Sequence, residues 1–141
     1  MMLLRAGELG EGQSFETVVV DDLKRTQIIQ YAGASGDYNP LHTDELYATK
    51  IAGYPSVFAH GMLTMGMTGE VLAKLVGPEN LLSFGVRFTA QVWPGDTLTV
   101  RTTVERIVGE ADDRVAELSV STTNGDGTQV VSGYARAQLP G

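Results

Sequence analysis

The stretch Gly61-Met62-Leu63-Thr64-Met65-Gly66-Met67-Thr68-Gly69-Glu70-Val71-Leu72-Ala73-Lys74-Leu75-Val76 decides the fold. Glu70 and Lys74 are its only charges and Gly77-Pro78 closes it, so it reads as one helix with a glycine-then-proline exit, apolar around most of its circumference. A helix of that kind requires cover on several sides. At ~1.5 Å per residue it measures about 24 Å, short of the roughly 30 Å of a bilayer core, so the cover is protein rather than lipid. Gly66 and Gly69 each cost about 1 kcal/mol relative to alanine inside a helix, and they predict that another backbone packs close by.

The rest of the chain supplies the cover. From Leu82 onward the pattern alternates, as in Leu98, Val100, Thr102 and Val104 against Thr99, Arg101, Thr103 and Glu105. Turn signals at Trp93-Pro94-Gly95-Asp96, Gly109-Glu110-Ala111-Asp112-Asp113 and Asn124-Gly125-Asp126-Gly127 divide this region into strands over about 82–92, 97–108, 114–123 and 128–139. Upstream, Ser14–Val20 ends in three β-branched valines and predicts another strand. Asp21 or Asp22 then caps a helix that carries Leu23, Ile28, Tyr31 and Ala32 inward and stops near Gly33. A loop follows through Gly36-Asp37-Tyr38-Asn39-Pro40, and a short helix from Thr43 or Asp44 ends before Gly53. The expected architecture is α+β, a single domain over 1–141 in which a five-stranded antiparallel sheet wraps one central helix.

Composition excludes whole classes of function. The chain has 141 residues, 43% of them hydrophobic and 19% charged, which suits one domain with a sizeable core. Ten Lys and Arg against seventeen Asp and Glu give a net charge of −7, so no basic footprint exists for nucleic acid or an anionic membrane. There is no cysteine, hence no disulfide framework, thiolate metal site or thiol nucleophile. Met1-Met2-Leu3-Leu4-Arg5-Ala6-Gly7-Glu8 is too short in its apolar part for a secretory signal, and the expectation is a cytoplasmic protein.

The chain holds two histidines, His42 and His60, and both sit in suggestive settings. In Asp37-x-Asn39-Pro40-x-His42 an Asn-Pro turn can fold a carboxylate and an imidazole toward one small volume, where they can grip a water molecule and exchange a proton. The plain structural alternative is that Asp37 and Asn39 build Asx-turns and His42 merely leads into a helix. Ala59-His60-Gly61-Met62 stands at the front of the apolar helix, whose unpaired N–H groups and dipole favour a developing oxyanion, and Gly61 lets a carbonyl come close. Its plain alternative is a capping histidine and a tight entrance.

Tyr31-Ala-Gly-Ala-Ser35-Gly36-Asp37-Tyr-Asn39-Pro40-Leu41-His42, with Ala48 beyond it, resembles the hydratase motif of the MaoC-like (R)-specific enoyl hydratases and dehydratases. Ala59-His60-Gly61-Met62 resembles that family's second signature, and Val86-Arg87-Phe88-Thr89-Ala90 and Pro94-Gly95-Asp96 extend the likeness into the strands. Ala34 departs from the larger aliphatic residue or glycine usual there, leaving the polar atoms untouched. Within the family the chain resembles the catalytic subunit of the mycobacterial-type fatty-acid synthase II β-hydroxyacyl dehydratase and the short single-hot-dog hydratases. The resemblance implies a hot-dog fold and hydration of trans-2-enoyl thioesters to (R)-3-hydroxyacyl thioesters. It also implies coenzyme A or acyl carrier protein as substrate carrier, no other cofactor, and a homodimer or a heterodimer with a related subunit. By the same resemblance Asp37 and His42 hold the catalytic water, Asn39 orients them, and the Gly61 N–H binds the thioester oxygen.

For the acyl chain, Val57, Phe58, Met62 and Met65 are the candidates, with core packing as the alternative; His60 is a further substrate-binding candidate, and Lys50 and Arg87 are the candidate cations for the carrier. Three other readings compete. A non-catalytic acyl-binding module shares the fold, a thioesterase would release free thiol, and Asp37, His42 and His60 are formally a two-histidine, one-carboxylate metal set.

Overall fold

A computed structural model describes residues 8–140; the reading of the first residues as too short for a signal lies outside them. Five antiparallel strands form one sheet: β1 (Ser14–Val20), β2 (Leu81–Phe88), β3 (Leu98–Val108), β4 (Val115–Thr123) and β5 (Gln129–Gln138), in the order β1-β3-β4-β5-β2. Three α-helices accompany it, α1 (Arg25–Ser35), α2 (Pro40–Thr43) and α3 (Gly61–Val76), with a π-helical turn over Tyr47–Ile51. α3 lies in the sheet, which is the hot-dog arrangement expected.

The alternation in β3 has its physical consequence here: Leu98, Val100, Thr102 and Val104 are all buried against the helix side. α3 meets that surface with Thr64, Thr68, Val71, Leu72, Leu75 and Val76, a stripe at helical spacing. Two cores result. One gathers Leu72, Val76, Val100, Val104, Leu118 and Leu139, and the other joins Ile28 of α1 to Ala59, Leu98, Val130 and Val131. The helix is covered less completely than its sequence predicts: Met62 is 56% exposed and Gly66, Glu70 and Lys74 follow it on the open side. Gly66 faces empty space, and an added Cβ on Gly69 would meet the Phe84 ring at 3.1 Å, so side chain rather than backbone makes the close approach. Among the described residues no helix is long and apolar enough to cross a membrane.

Local boundaries differ from expectation for identifiable reasons. α1 starts after Lys24 because Leu23 is pinned into the core, its N–H bonded to the Asp96 carbonyl at 2.9 Å. Asp21 and Asp22 are spent elsewhere: Asp21 accepts from the Thr97 hydroxyl at 2.8 Å, and Asp22 takes a positive φ of 58° and pairs with Lys24. Instead of an aspartate cap, Gln27 reaches back to accept from the Lys24 N–H at 3.0 Å. The helix runs past Gly33 to Ser35 and ends at Gly36, whose φ of 77° is the left-handed conformation that glycine adopts without strain. The predicted short helix is two pieces, α2 and the π-helical turn, and β2 leaves the sheet at Phe88, four residues before the expected 92.

Candidate active site

The loop after α1 is a chain of short side-chain turns. Ser35 Oγ accepts from the Asp37 N–H at 3.1 Å, Asp37 Oδ1 from the Asn39 N–H at 3.2 Å, and Asn39 Oδ1 from the Leu41 N–H at 3.0 Å. Each side chain satisfies the backbone two residues on, the Asx-turn habit of such residues. The last step caps α2, with Pro40 in its first turn, and so fixes the short helix from which His42 projects. Asn39 therefore orients His42 through the helix it caps. The turns that satisfy the backbone also bring Asp37 and His42 together.

The second strand of the site is the extended segment leading to α3. The Phe58 N–H donates to the Leu41 carbonyl at 3.2 Å and the Ala59 N–H to the Val92 carbonyl at 2.8 Å. Glu45 accepts from the Val57 N–H at 3.2 Å while paired with Arg25 at 2.6 Å, and Arg25 holds the Glu45 carboxyl below its usual range. With this segment fixed, the His42 ring meets the His60 ring face to face, centroids 3.9 Å apart and planes 25° apart. One ring nitrogen of each histidine and a carboxylate oxygen of Asp37 lie within 4.8 Å of one another. Asp37 is exposed, His42 half-buried and His60 buried.

The backbone settles the tautomers, because a carbonyl oxygen only accepts. His42 Nδ1 must donate to the Phe58 carbonyl at 2.6 Å, leaving Nε2 with a lone pair in the neutral ring. His60 Nε2 must donate to the Asp37 carbonyl at 2.9 Å. Burial lowers the proton affinity of His42, the Phe58 carbonyl opposes that, and His60 lowers it further against the weaker pull of Asp37, so the net shift is below the ordinary value of 6.5. His42 is thus a neutral base beside an exposed carboxylate. The stacked rings also bear on the metal alternative: imidazole lone pairs lie in the ring plane, so two rings stacked in this way direct them side by side rather than onto one ion.

At the tip of α3, His60 is the N-cap but its side chain makes no capping bond, so the first N–H groups of the helix have no side-chain acceptor from it. The Phe88 ring stands directly over Gly61, where a Cβ would come within 3.1 Å of it. Beside them opens a cavity of about 360 Å³ lined by Phe58, Gly61, Thr64, Phe88, Val92 and Val131. Asp37, His42 and His60 are not among the residues that line it, while Phe58, Ala59 and Gly61 on either side of His60 in the chain are.

The other sequence candidates fall in several places. Phe58 and Gly61 line the cavity, while Val57 is buried in packing. Met62 is exposed and Met65 half-buried on α3, and Lys50 is exposed on the π-helical turn. Arg87 stands on the outer face of the sheet, in a hollow of about 580 Å³ shared with Arg101, Ser121, Ser132 and Tyr134. Sequence reasoning missed Phe88, although alternation along Val86-Arg87-Phe88 already puts it opposite Arg87. It also missed the contact of Tyr31 with the edge of His60, centroids 4.8 Å apart.

Comparison with known proteins identifies the family. Residues 8–126 match the family described as MaoC like domain. The (R)-specific enoyl-CoA hydratase of Rhodospirillum rubrum is 31% identical over 135 residues, 94% of this chain and 90% of that enzyme. The 3-hydroxyacyl-thioester dehydratase Y of Mycobacterium tuberculosis is 44% identical over 68 residues, 46% of this chain. That match spans 23% of the dehydratase, and the next two curated relatives are matched over 7% and 27% of their lengths. The unliganded R-hydratase PhaJ1 of Pseudomonas aeruginosa superposes with a TM-score of 0.82 at 30% identity, over 96% of this chain and 84% of that one. The matched region takes in the Asp37 loop, α3 and most of the sheet, and on that evidence the chain belongs to the family of MaoC-like domains.

Proposed function

We propose that the protein adds water reversibly to trans-2-enoyl thioesters, giving (R)-3-hydroxyacyl thioesters of coenzyme A or acyl carrier protein. The observation that carries this reading is the pairing of a carboxylate oxygen of Asp37 with a ring nitrogen of the neutral His42 within 4.8 Å. Two acceptors each ~2.8 Å from one water oxygen, taking its two protons, stand about 4.4 Å apart. A water held so has a lone pair left over to attack C3 of the enoyl group. As the new C–O bond forms at C3 and the C2=C3 π bond breaks, one proton of the water passes to the pair and the pair returns a proton to C2, so that the water's OH ends on C3, an H on C2, and the pair is restored. Charge built up on the thioester oxygen is met by the first N–H groups of α3, which a helix N-terminus offers to an anion. The cavity lined by Phe58, Thr64 and Phe88 supplies apolar cover for the acyl chain. No group beyond the carrier itself enters these steps, and a cytoplasmic setting, where such thioesters are made and used, suits the acidic, cysteine-free chain.

The test is turnover of crotonyl-CoA and longer enoyl-CoA substrates by the purified chain, followed by loss of enoyl-thioester absorbance. Replacing Asp37→Asn or His42→Ala is expected to lower kcat by about 10²-fold or more, the usual contribution of a positioned acid or base, with the fold intact by circular dichroism. Folded variants that keep near-normal turnover refute the assignment. A wild-type chain with no hydration at all supports the acyl-binding module instead.

A further inference from the structure

His60 is 1% exposed, and the water-holding scheme gives it no chemical step. It nevertheless touches both members of the pair. Its Nε2–H holds the backbone carbonyl of Asp37 at 2.9 Å, and its ring face lies under His42 at 3.9 Å. The Tyr31 ring also meets it in a T-shaped contact, centroids 4.8 Å apart. As the N-cap residue of α3 it makes no side-chain capping bond, so a position ordinarily used to satisfy the helix is turned instead toward the Asp37 loop. Its Nδ1 is buried without a hydrogen-bond partner among the described residues.

We propose that His60 is a positioning residue: its buried ring is the floor that fixes both the Asp37 backbone and the His42 ring. The proposal rests on the reading of Asp37 and His42 as the water-holding pair. The physical argument is one of rigidity: one donated hydrogen bond and one stacked face tie the loop of the carboxylate and the ring of the base to the same buried side chain, so their separation is set before substrate arrives. The titratable groups facing His60 among the described residues are Tyr31 from α1, Asp37 from the loop and His42 from α2; Asp37 presents its carbonyl to His60 and offers no acceptor for Nδ1. Its stacked ring also excludes water from one face of His42.

Because the chain has two histidines, proton NMR of the imidazole Cε1–H signals reads both directly. In the wild-type protein the His42 signal is expected to titrate below pH 6.5. His60→Gln keeps an N–H donor for the Asp37 carbonyl but removes the ring. The expected result is a fall in kcat of about tenfold or more with KM changed less than threefold, and an acid limb of kcat/KM displaced to higher pH together with the remaining histidine signal. A folded His60→Gln protein with unchanged kcat and an unchanged His42 titration overturns it. Should that variant not fold, the wild-type spectrum still decides: the buried His60 Nε2–H, bonded to the Asp37 carbonyl, is expected as a slowly exchanging downfield signal, and its absence overturns the proposal. Since this needs no substrate, it stands apart from any failure of the hydratase reading.

Discussion

His42 keeps one nitrogen for the backbone and one for chemistry, and its pH behaviour follows from that division. Burial and the neighbouring His60 outweigh the Phe58 carbonyl and Asp37, so the folded protein protonates His42 at a pH below 6.5. Activity that needs the neutral ring therefore rises through a pH below 6.5 and levels off above it; a pH profile of kcat/KM with its acid limb at or above 6.5 contradicts this. Stability has a matching sign. In the unfolded chain the ring takes its proton near ~6.5, so between that pH and the lower folded value the unfolded state binds more protons. The contribution of His42 to stability is complete above 6.5 and is lost as pH falls toward the folded value, and His42→Ala is expected to flatten that part of a denaturation-versus-pH curve. The sequence made Asp37, Asn39 and His42 legible because their turn chemistry is local and reads within eight residues. The part played by His60 was not legible, because it depends on stacking across 18 residues of chain, and no spacing rule reports which face of a ring is covered.

Among the elements, α3 is anchored by a polar contact that a hydropathy reading passes over. Thr68 Oγ1 donates to the Thr64 carbonyl at 2.9 Å and so must accept from the Thr122 hydroxyl of β4 at 2.7 Å, with both threonines fully buried. Thr68→Val leaves the Thr122 hydroxyl without a partner in the core. Its expected cost is about 1–3 kcal/mol in urea or thermal unfolding, and the double variant Thr68→Val, Thr122→Val should recover part of that loss because no polar group is then stranded. A double variant less stable than the sum of the two single changes counts against this account. The strands and α3 were readable because alternation and helical spacing are repeated many times within each element. Their ends were harder: Asp21 and Asp22 have the chemistry of caps, yet burial of Leu23 and the bond to Thr97 decide where α1 begins, and those are tertiary facts. The glycines of α3 misled for a similar reason, since an open face and an aromatic neighbour leave the same mark in a sequence as a close backbone.

For the whole molecule, the unfinished surface is the free β2 edge of the sheet, and the prediction there is pairing with a second copy. β2 is an edge strand paired only with β5, and it presents Leu82 and Phe88, each about half exposed, with no proline and only Arg87 as a charge. Natural edge strands are usually guarded by charges, prolines or a covering segment, and β2 has little of this among the described residues. The opposite edge, β1, carries Glu16 paired to Arg101. An antiparallel strand pairs with its own copy about a two-fold axis, so two β2 strands side by side extend each sheet into the other and close the interface without leaving a free partner. Phe88 at the end of β2 stands over Gly61, so a partner seated there would wall the open side of the α3 tip and complete the acyl cavity. Light scattering of the wild-type protein is expected to give the mass of two chains. Leu82→Asp, at a position already exposed in the single chain, is expected to reduce it to one chain and to lower hydration in proportion. A wild-type monomer with full turnover, or a Leu82→Asp monomer as active as the wild type, would show that one chain builds the site alone.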